Sequence, residues 1–140
     1  MKILVVDVGG THVKIMATGE REERRGRSGR NMAARRMVSL VKRLSADCSY
    51  DHVAIGFPGP VVHGHPIAEP RNLGGGWMGF DFRRAFGRPV KVINDAAMQA
   101  LGSYRDGRML FLGLGTGLGS ALIVDRVVKP MELAQGAHER

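Results

Sequence analysis

Two strand–turn–strand segments carry glycine and threonine at their tips. They are VVDVGGTHVKI, from Val5 to Ile15, and FLGLGTGLGSALIVD, from Phe111 to Asp125. In the first, an apolar run ends in Asp7, Gly9, Gly10 and Thr11, and alternation then resumes. Glycines at such a tip let the backbone turn and approach a ligand, because they lack Cβ. Successive amides in a turn can face an anion. Asp7 at a strand end can place a Mg²⁺, directly or through water, against phosphate oxygens. A plain hairpin turn with a capping aspartate is the simpler reading. In the second segment Gly113, Gly115, Gly117 and Gly119 alternate, with Thr116 among them. No G-x-G-x-x-G can be read in this segment, no Lys-Ser/Thr closes a P-loop there, and a strand follows where a dinucleotide fold needs a helix. The simpler alternative is a tight hairpin whose glycines only permit the turn.

The rest of the chain alternates helices and strands. Lys2–Val6 and His12–Ala17 read as a strand pair. Gly19–Arg30 reads as a polar loop with a short edge strand. Asn31 is positioned to cap a helix running to Ala46, with Ala34, Met37, Val38, Val41 and Leu44 on one face. His52–Phe57 reads as a strand, and His63–Trp77 as a loop rich in Gly and Pro. Asp81 caps a short helix to Phe86, and Val90–Ile93 is a further strand. Asp95–Tyr104 reads as a helix, followed by strands at Arg108–Leu114, Ser120–Val124 and Val127–Val128. Hairpins followed by alternating helices and strands indicate a layered α/β domain.

Composition excludes several classes. The 140 residues suffice for one domain with a core. No apolar run is long enough to span a membrane as a helix. The chain enters a strand pattern at Lys2, which leaves no room for a signal peptide. With the single Cys48 no internal disulfide can form, so a reducing cytoplasm is expected. The formal net charge is +8, and Glu20–Arg43 carries nine Lys/Arg against three Glu. That segment has no aromatic residue for base stacking and no zinc-finger spacing, so a solvated face is expected and DNA is not. Attraction of polyanions such as polyphosphate stays open.

Two further segments carry candidate chemistry. In VKVINDAAMQAL, Asn94 and Asp95 stand where a strand passes into a helix, the usual place for ligands in open α/β sheets. Asp95 can accept a proton from a substrate hydroxyl, and Asn94 offers a donor and an acceptor to a polyol. A helix N-cap is the simpler reading of Asp95. In GFPGPVVHGHPIAEPRNLGGGW, prolines stiffen a loop and Gly59 permits close approach. Glu69 and Asn72 are polar groups on it, and Trp77 is either a lid edge or core. His63-Gly-His65 is a weak metal signal.

Taken in order, DVGGTHVKI, GFPGPV, VINDAAMQALG and LGLGTGLGSALIVD resemble the N-terminal lobe of the ROK family of bacterial sugar kinases, within the actin-like ATPase and hexokinase superfamily. The likeness is to the glucokinase branch that uses ATP or polyphosphate. It implies a ribonuclease H-like, actin-like ATPase lobe: an α/β fold with a mixed sheet, an N-terminal β-hairpin and flanking helices. The lobe would span 1–134, and 135–140 departs from the family pattern.

The resemblance also implies roles. Asp95 would be the general base that frees the sugar 6-hydroxyl to attack the terminal phosphoryl group. Gly59, Asn72, Asn94 and Asp95 would bind the hexose, glucose or a relative, together with Glu132. Gly9, Gly10 and Thr11, and likewise Gly115, Thr116 and Gly117, would face the donor phosphates. Asp7 would help place Mg²⁺.

Several departures bear on activity. Family members are about twice as long, and their second lobe is missing here, which suggests a truncated or frame-shifted gene or a cloned fragment. His138 comes too late for the family's histidine, and the Cys-rich zinc motif is absent, so no zinc site is expected. The chain alone is expected to be weak or inactive, and to self-associate as a homo-oligomer through exposed core surface. A sugar- or polyanion-binding module without turnover is the alternative. A sugar-responsive repressor is disfavoured, because no helix-turn-helix precedes the first phosphate motif.

Overall fold

The structure is a computed structural model that describes residues 2–103, 108–114, 118–124 and 127–131, with side chains described as far as Gln99. A five-stranded mixed sheet organises it. Strand β1 (Ile3–Val8) pairs antiparallel with β2 (His12–Ala17), and β2 pairs antiparallel with β3 (Arg24–Arg27). On its other side β1 runs parallel to β4 (His52–Phe57), and β4 runs parallel to β7 (Val90–Asn94). The order is therefore β3-β2-β1-β4-β7. Parallel neighbours need crossover connections. Helix α1 (Ala34–Leu44) lies in the connection to β4, and helix α2 (Phe82–Phe86) in the connection to β7.

The two faces of this sheet differ. Side chains alternate along a strand, so Leu4, Val6, Val8, Val13, Ile15, Val53, Ile55, Phe57 and Val92 share one face, and all are buried. Ala34, Met37, Val38 and Val41 of α1 pack into the same core, as do Trp77, Phe82 and Phe86. The opposite face carries Val5, Asp7, Lys14 and Met16, with Val5 37% and Met16 42% exposed. Helix α3 (Asp95–Ser103) covers part of that face, since a Cβ on Gly56 would stand 3.0 Å from the Met98 sulfur and 3.4 Å from the Asp95 Cα.

Beyond α3 the chain forms a three-stranded antiparallel sheet of β8 (Arg108–Leu114), β9 (Leu118–Val124) and β10 (Val127–Met131). Helix α3 contacts all three.

Several boundaries differ from those read in the sequence; β1 and β7 run on to Val8 and Asn94, β9 begins at Leu118 and β10 extends to Met131. Helix α1 starts at Ala34, and its N-cap Ala33 makes no side-chain capping bond, so Asn31 does not cap it. The reason is local. Met32 and Ala33 are held by backbone bonds instead, Met32 N–H to Gly29 at 2.9 Å and Ala33 N–H to Asn31 at 3.0 Å. The helix also stops at Leu44. The buried Ser45 follows it and returns its hydroxyl to the Val41 carbonyl at 2.7 Å. At the start of the segment read as a loop, β5 (Val61–Val62), just ahead of it, pairs with β6 (His65–Pro66) in a small hairpin, turned by His63 and Gly64 at positive φ. The Asp81 cap is as expected, with its carboxylate accepting from the Arg84 amide at 3.0 Å and Gly87 closing α2 in a left-handed conformation.

The asymmetry of the two faces is testable by denaturation. Ile55→Ala opens a cavity on the buried face and is expected to cost about 2–5 kcal/mol. Val5→Ala on the other face is expected to cost less than about 1 kcal/mol. Equal losses in urea melts would contradict the assignment of faces.

Candidate active site

Because β1, β4 and β7 are parallel, their carboxyl ends lie along one edge of the sheet. Asp7, the Phe57–Gly59 turn and Asn94–Asp95 therefore meet there. In register, Asp7 stands beside Gly56, and Gly56 beside Ile93. Without a side chain at Gly56, α3 approaches β4 closely enough to bring Asp95 over the edge.

Asn94 and Asp95 divide the work. The helix cap falls to Asn94, whose buried Oδ1 accepts from the amides of Ala96 at 2.9 Å and Ala97 at 3.3 Å. The Asn94 amide donates to the Gly59 carbonyl at 2.8 Å, which fixes the proline-flanked turn to the start of α3. Asp95 is thus not the cap, although its Oδ1 accepts from the Ala96 amide at 2.8 Å. Its carboxyl is half-buried, and burial pushes its pKa up to about 6, with the nearby Asp7 charge adding to the rise. Burial also raises Asp7, while Lys14 pulls it back and Glu23 adds to the rise. Two carboxylates that disfavour each other's charge form an electrostatic unit suited to a cation. Among the described residues no group of three His, Cys, Asp or Glu gathers to hold a metal. A hard-oxygen pair that leaves most positions to water and phosphate fits Mg²⁺, which is commonly held that way.

The Gly9–Thr11 turn is braced from behind. The Gly9 amide donates to the His12 carbonyl at 2.9 Å. Ser28, just past β3, donates its hydroxyl to the Gly9 carbonyl at 2.7 Å and its amide to the Thr11 carbonyl at 2.9 Å. Among the described residues the Gly10 and Thr11 amides donate to nothing, which leaves two adjacent N–H groups for an anion. Neither glycine of this turn has a positive φ. Crowding is what requires Gly9, where a Cβ would lie 2.9 Å from the His12 carbonyl oxygen. At Gly10 a Cβ would meet the Asn72 side chain at ordinary contact, 3.5 Å, so the turn lies directly against Asn72.

Asn72 reaches the site on a clamped loop. Both Glu69 oxygens accept backbone amides at 3.0 Å, one from Trp77 and one from Met78. Trp77 is fully buried and donates its indole N–H to the Met32 carbonyl at 3.2 Å, so it belongs to the core. Gly74 packs on the backbone of Met32 and Ala33. Asn72 is thereby held beside Gly10, joining the expected sugar loop to the expected phosphate turn.

The structure thus gathers Asp7, Gly9, Gly10, Thr11, Gly59, Asn72, Asn94 and Asp95 along one edge. Gly115, Thr116, Gly117 and Glu132 lie outside the described residues. Sequence reading missed Ser28 as the brace of the turn and Glu69 as the clamp of the loop. Ser28 follows an alternating edge strand in a Gly-punctuated stretch, the only signal available for it.

Comparison with known proteins follows the same outline. The ROK family model matches residues 3–132. No significant match was found among curated protein sequences. Among solved structures, the chain is similar to the inorganic polyphosphate/ATP-glucomannokinase from Arthrobacter sp. strain KM. The identity is 27%, the TM-score 0.78, and the alignment covers 94% of this chain and 61% of that one. It is similar to the ROK hexokinase from Thermus thermophilus at 25% identity and TM-score 0.70, covering 97% and 51%. The ROK family glucokinase from Streptomyces griseus, solved with glucose and AMPPNP, shares the fold at 23% identity and TM-score 0.76, covering 92% and 46%. The chain spans about half to three fifths of the length of these proteins.

The Asp95 shift gives a stability prediction with a definite sign. Its folded-state pKa of about 6 exceeds the ordinary 3.8, so the protonated form stabilises the fold. That contribution is complete below about pH 4 and is lost as pH rises through 6. Asp95→Asn is therefore expected to melt higher than wild type at pH 8 and equally near pH 4. Identical melting temperatures at both pH values would contradict the burial of this carboxyl.

Proposed function

The chain belongs to the ROK family, and from that premise we propose that it is the catalytic lobe of a hexokinase-type sugar kinase. It transfers a phosphoryl group from ATP or polyphosphate to the 6-hydroxyl of glucose or a related hexose. The observation that carries this reading is the release of Asp95 from capping duty by Asn94, beside Asp7 and the braced turn.

The mechanism follows from these residues. The free amides of Gly10 and Thr11 take the donor's phosphate oxygens. Asn72 and the Gly59 turn hold the sugar so that its hydroxyl faces Asp95. Asn94 contributes by fixing that turn to α3. A carboxylate with a pKa near 6 is largely ionised at neutral pH, yet basic enough to take the proton as the hydroxyl attacks. Mg²⁺, when bound at Asp7, would neutralise charge on the transferred group. Positioning and charge neutralisation supply most of the barrier lowering.

Formation of hexose 6-phosphate by the purified chain tests the proposal, with Mg²⁺ and either ATP or polyphosphate. A rate is expected that rises with pH through about 6 and falls by about 10²–10⁴ in Asp95→Asn. Glucose is also expected to raise the melting temperature. A rate unchanged in Asp95→Asn, or no stabilisation by any hexose, would overturn the assignment.

A further inference from the structure

The basic segment acquires an orientation once the strands are in register. Asp7 pairs with Lys14, and Lys14 pairs with Arg25, so the three lie in one row across β1, β2 and β3. One step towards the tip, Arg27 pairs with His12, next to the Gly9–Thr11 turn. Residues paired in this way share a face. It is the face of Asp7 and Asp95, opposite α1. The other face of β3 takes Arg24 and Gly26. Arg24 binds Asp47 and donates to the Leu44 carbonyl, and a Cβ on Gly26 would collide with Leu40. Arg24 is therefore spent on tying β3 to the end of α1, while Arg25 and Arg27 point the other way and are exposed.

We propose that Lys14, Arg25 and Arg27 form a binding row for linear inorganic polyphosphate, continuous with the Gly9–Thr11 turn. Strand spacing puts Lys14 and Arg25 about 5 and 10 Å out from Asp7. Cations at that interval suit a chain carrying charge on every unit, and they extend past what a compact donor needs at the turn. Ser28 makes the two parts rigid with respect to each other, because it bonds the turn from the residue after Arg27. Lys14 and Arg27 make no ion pair among the described residues, whereas Arg25 is held by Glu23. Glu23 thus competes with the ligand for one cation. RNA is the less suitable polyanion, because the row has no Phe, Tyr or Trp on which a base can stack. The direction of the chain, with its terminal phosphoryl group at Asp95, rests on the kinase reading. The binding itself does not.

Fluorescently labelled polyphosphate tens of units long, titrated into the chain at physiological salt, tests the row. Lys14→Gln with Arg27→Gln is expected to weaken binding by at least about tenfold, the loss of charge-assisted bonds. Arg83→Gln with Arg84→Gln removes the same charge from the exposed face of α2 and is expected to change affinity little. Arg27→Gln alone, at an exposed position, guards against a folding defect in the double variant, and circular dichroism melts accompany each protein. Glu23→Gln is expected to tighten binding by freeing Arg25. An RNA oligomer of matched charge is expected to bind more weakly. No polyphosphate binding, equal losses in the two double variants, or equal binding of RNA would each overturn the proposal. The kinase reading fails separately. Polyphosphate bound at the row with no hexose phosphate formed from either donor would sink that reading and leave the row standing.

Discussion

The parallel alignment of β1, β4 and β7 is the constraint on which the site depends. Three strands running the same way deliver three chain segments to one edge, although 87 positions of sequence separate Asp7 from Asn94. What holds the alignment is the buried face. Leu4, Val6, Val53, Ile55 and Val92 lie in one core with α1, Trp77 and the phenylalanines of α2, and a one-residue slip would turn each of them outward. Register and chemistry are thus fixed together. The same slip would carry Asp7 away from Gly56 and from the start of α3.

Around that edge the polar groups form a hierarchy. Asn94, Ser28 and Glu69 are consumed in holding backbone: the start of α3, the Gly9–Thr11 turn and the Asn72 loop. Their hydrogen bonds leave Asp95 and the Gly10 and Thr11 amides available for chemistry. Burial then makes the site electrostatically tense. Asp7 and Asp95 are both raised by desolvation, and each position is easier to ionise when a cation or a polarised ligand is close. The row of Lys14, Arg25 and Arg27 stands on the same face, so the charge of the chain has a direction and not merely a total.

Much of this was legible in the sequence, and the rest was hidden for physical reasons. The strand pairs, the apolar stripe of α1 and the Asp81 cap follow from periodicity and local capping rules, which act within a few residues. The four motifs of the ROK family identified the fold, because their order is more specific than any one of them. Asn94 and Asp95 were both legible as candidates, but the cap belongs to Asn94. Either residue can cap, and the choice is made by the burial of Asn94 at the end of β7. Asn31 failed as a cap because the backbone of Met32 and Ala33 was already bound elsewhere. The bonds made by Ser28 and Glu69 span 19 and 8 residues and depend on tertiary contact, which no local pattern encodes.

The claim at the centre is that Asp7 and Asp95 share one electrostatic site at the strand ends. The most direct measurement is the titration of the Asp95 side-chain carboxyl by carbon-13 NMR, in the wild type and in Asp7→Asn. The account predicts a wild-type pKa near 6 and a lower value once the Asp7 charge is removed. A midpoint in the ordinary carboxylate range, or one that Asp7→Asn leaves in place, would contradict it.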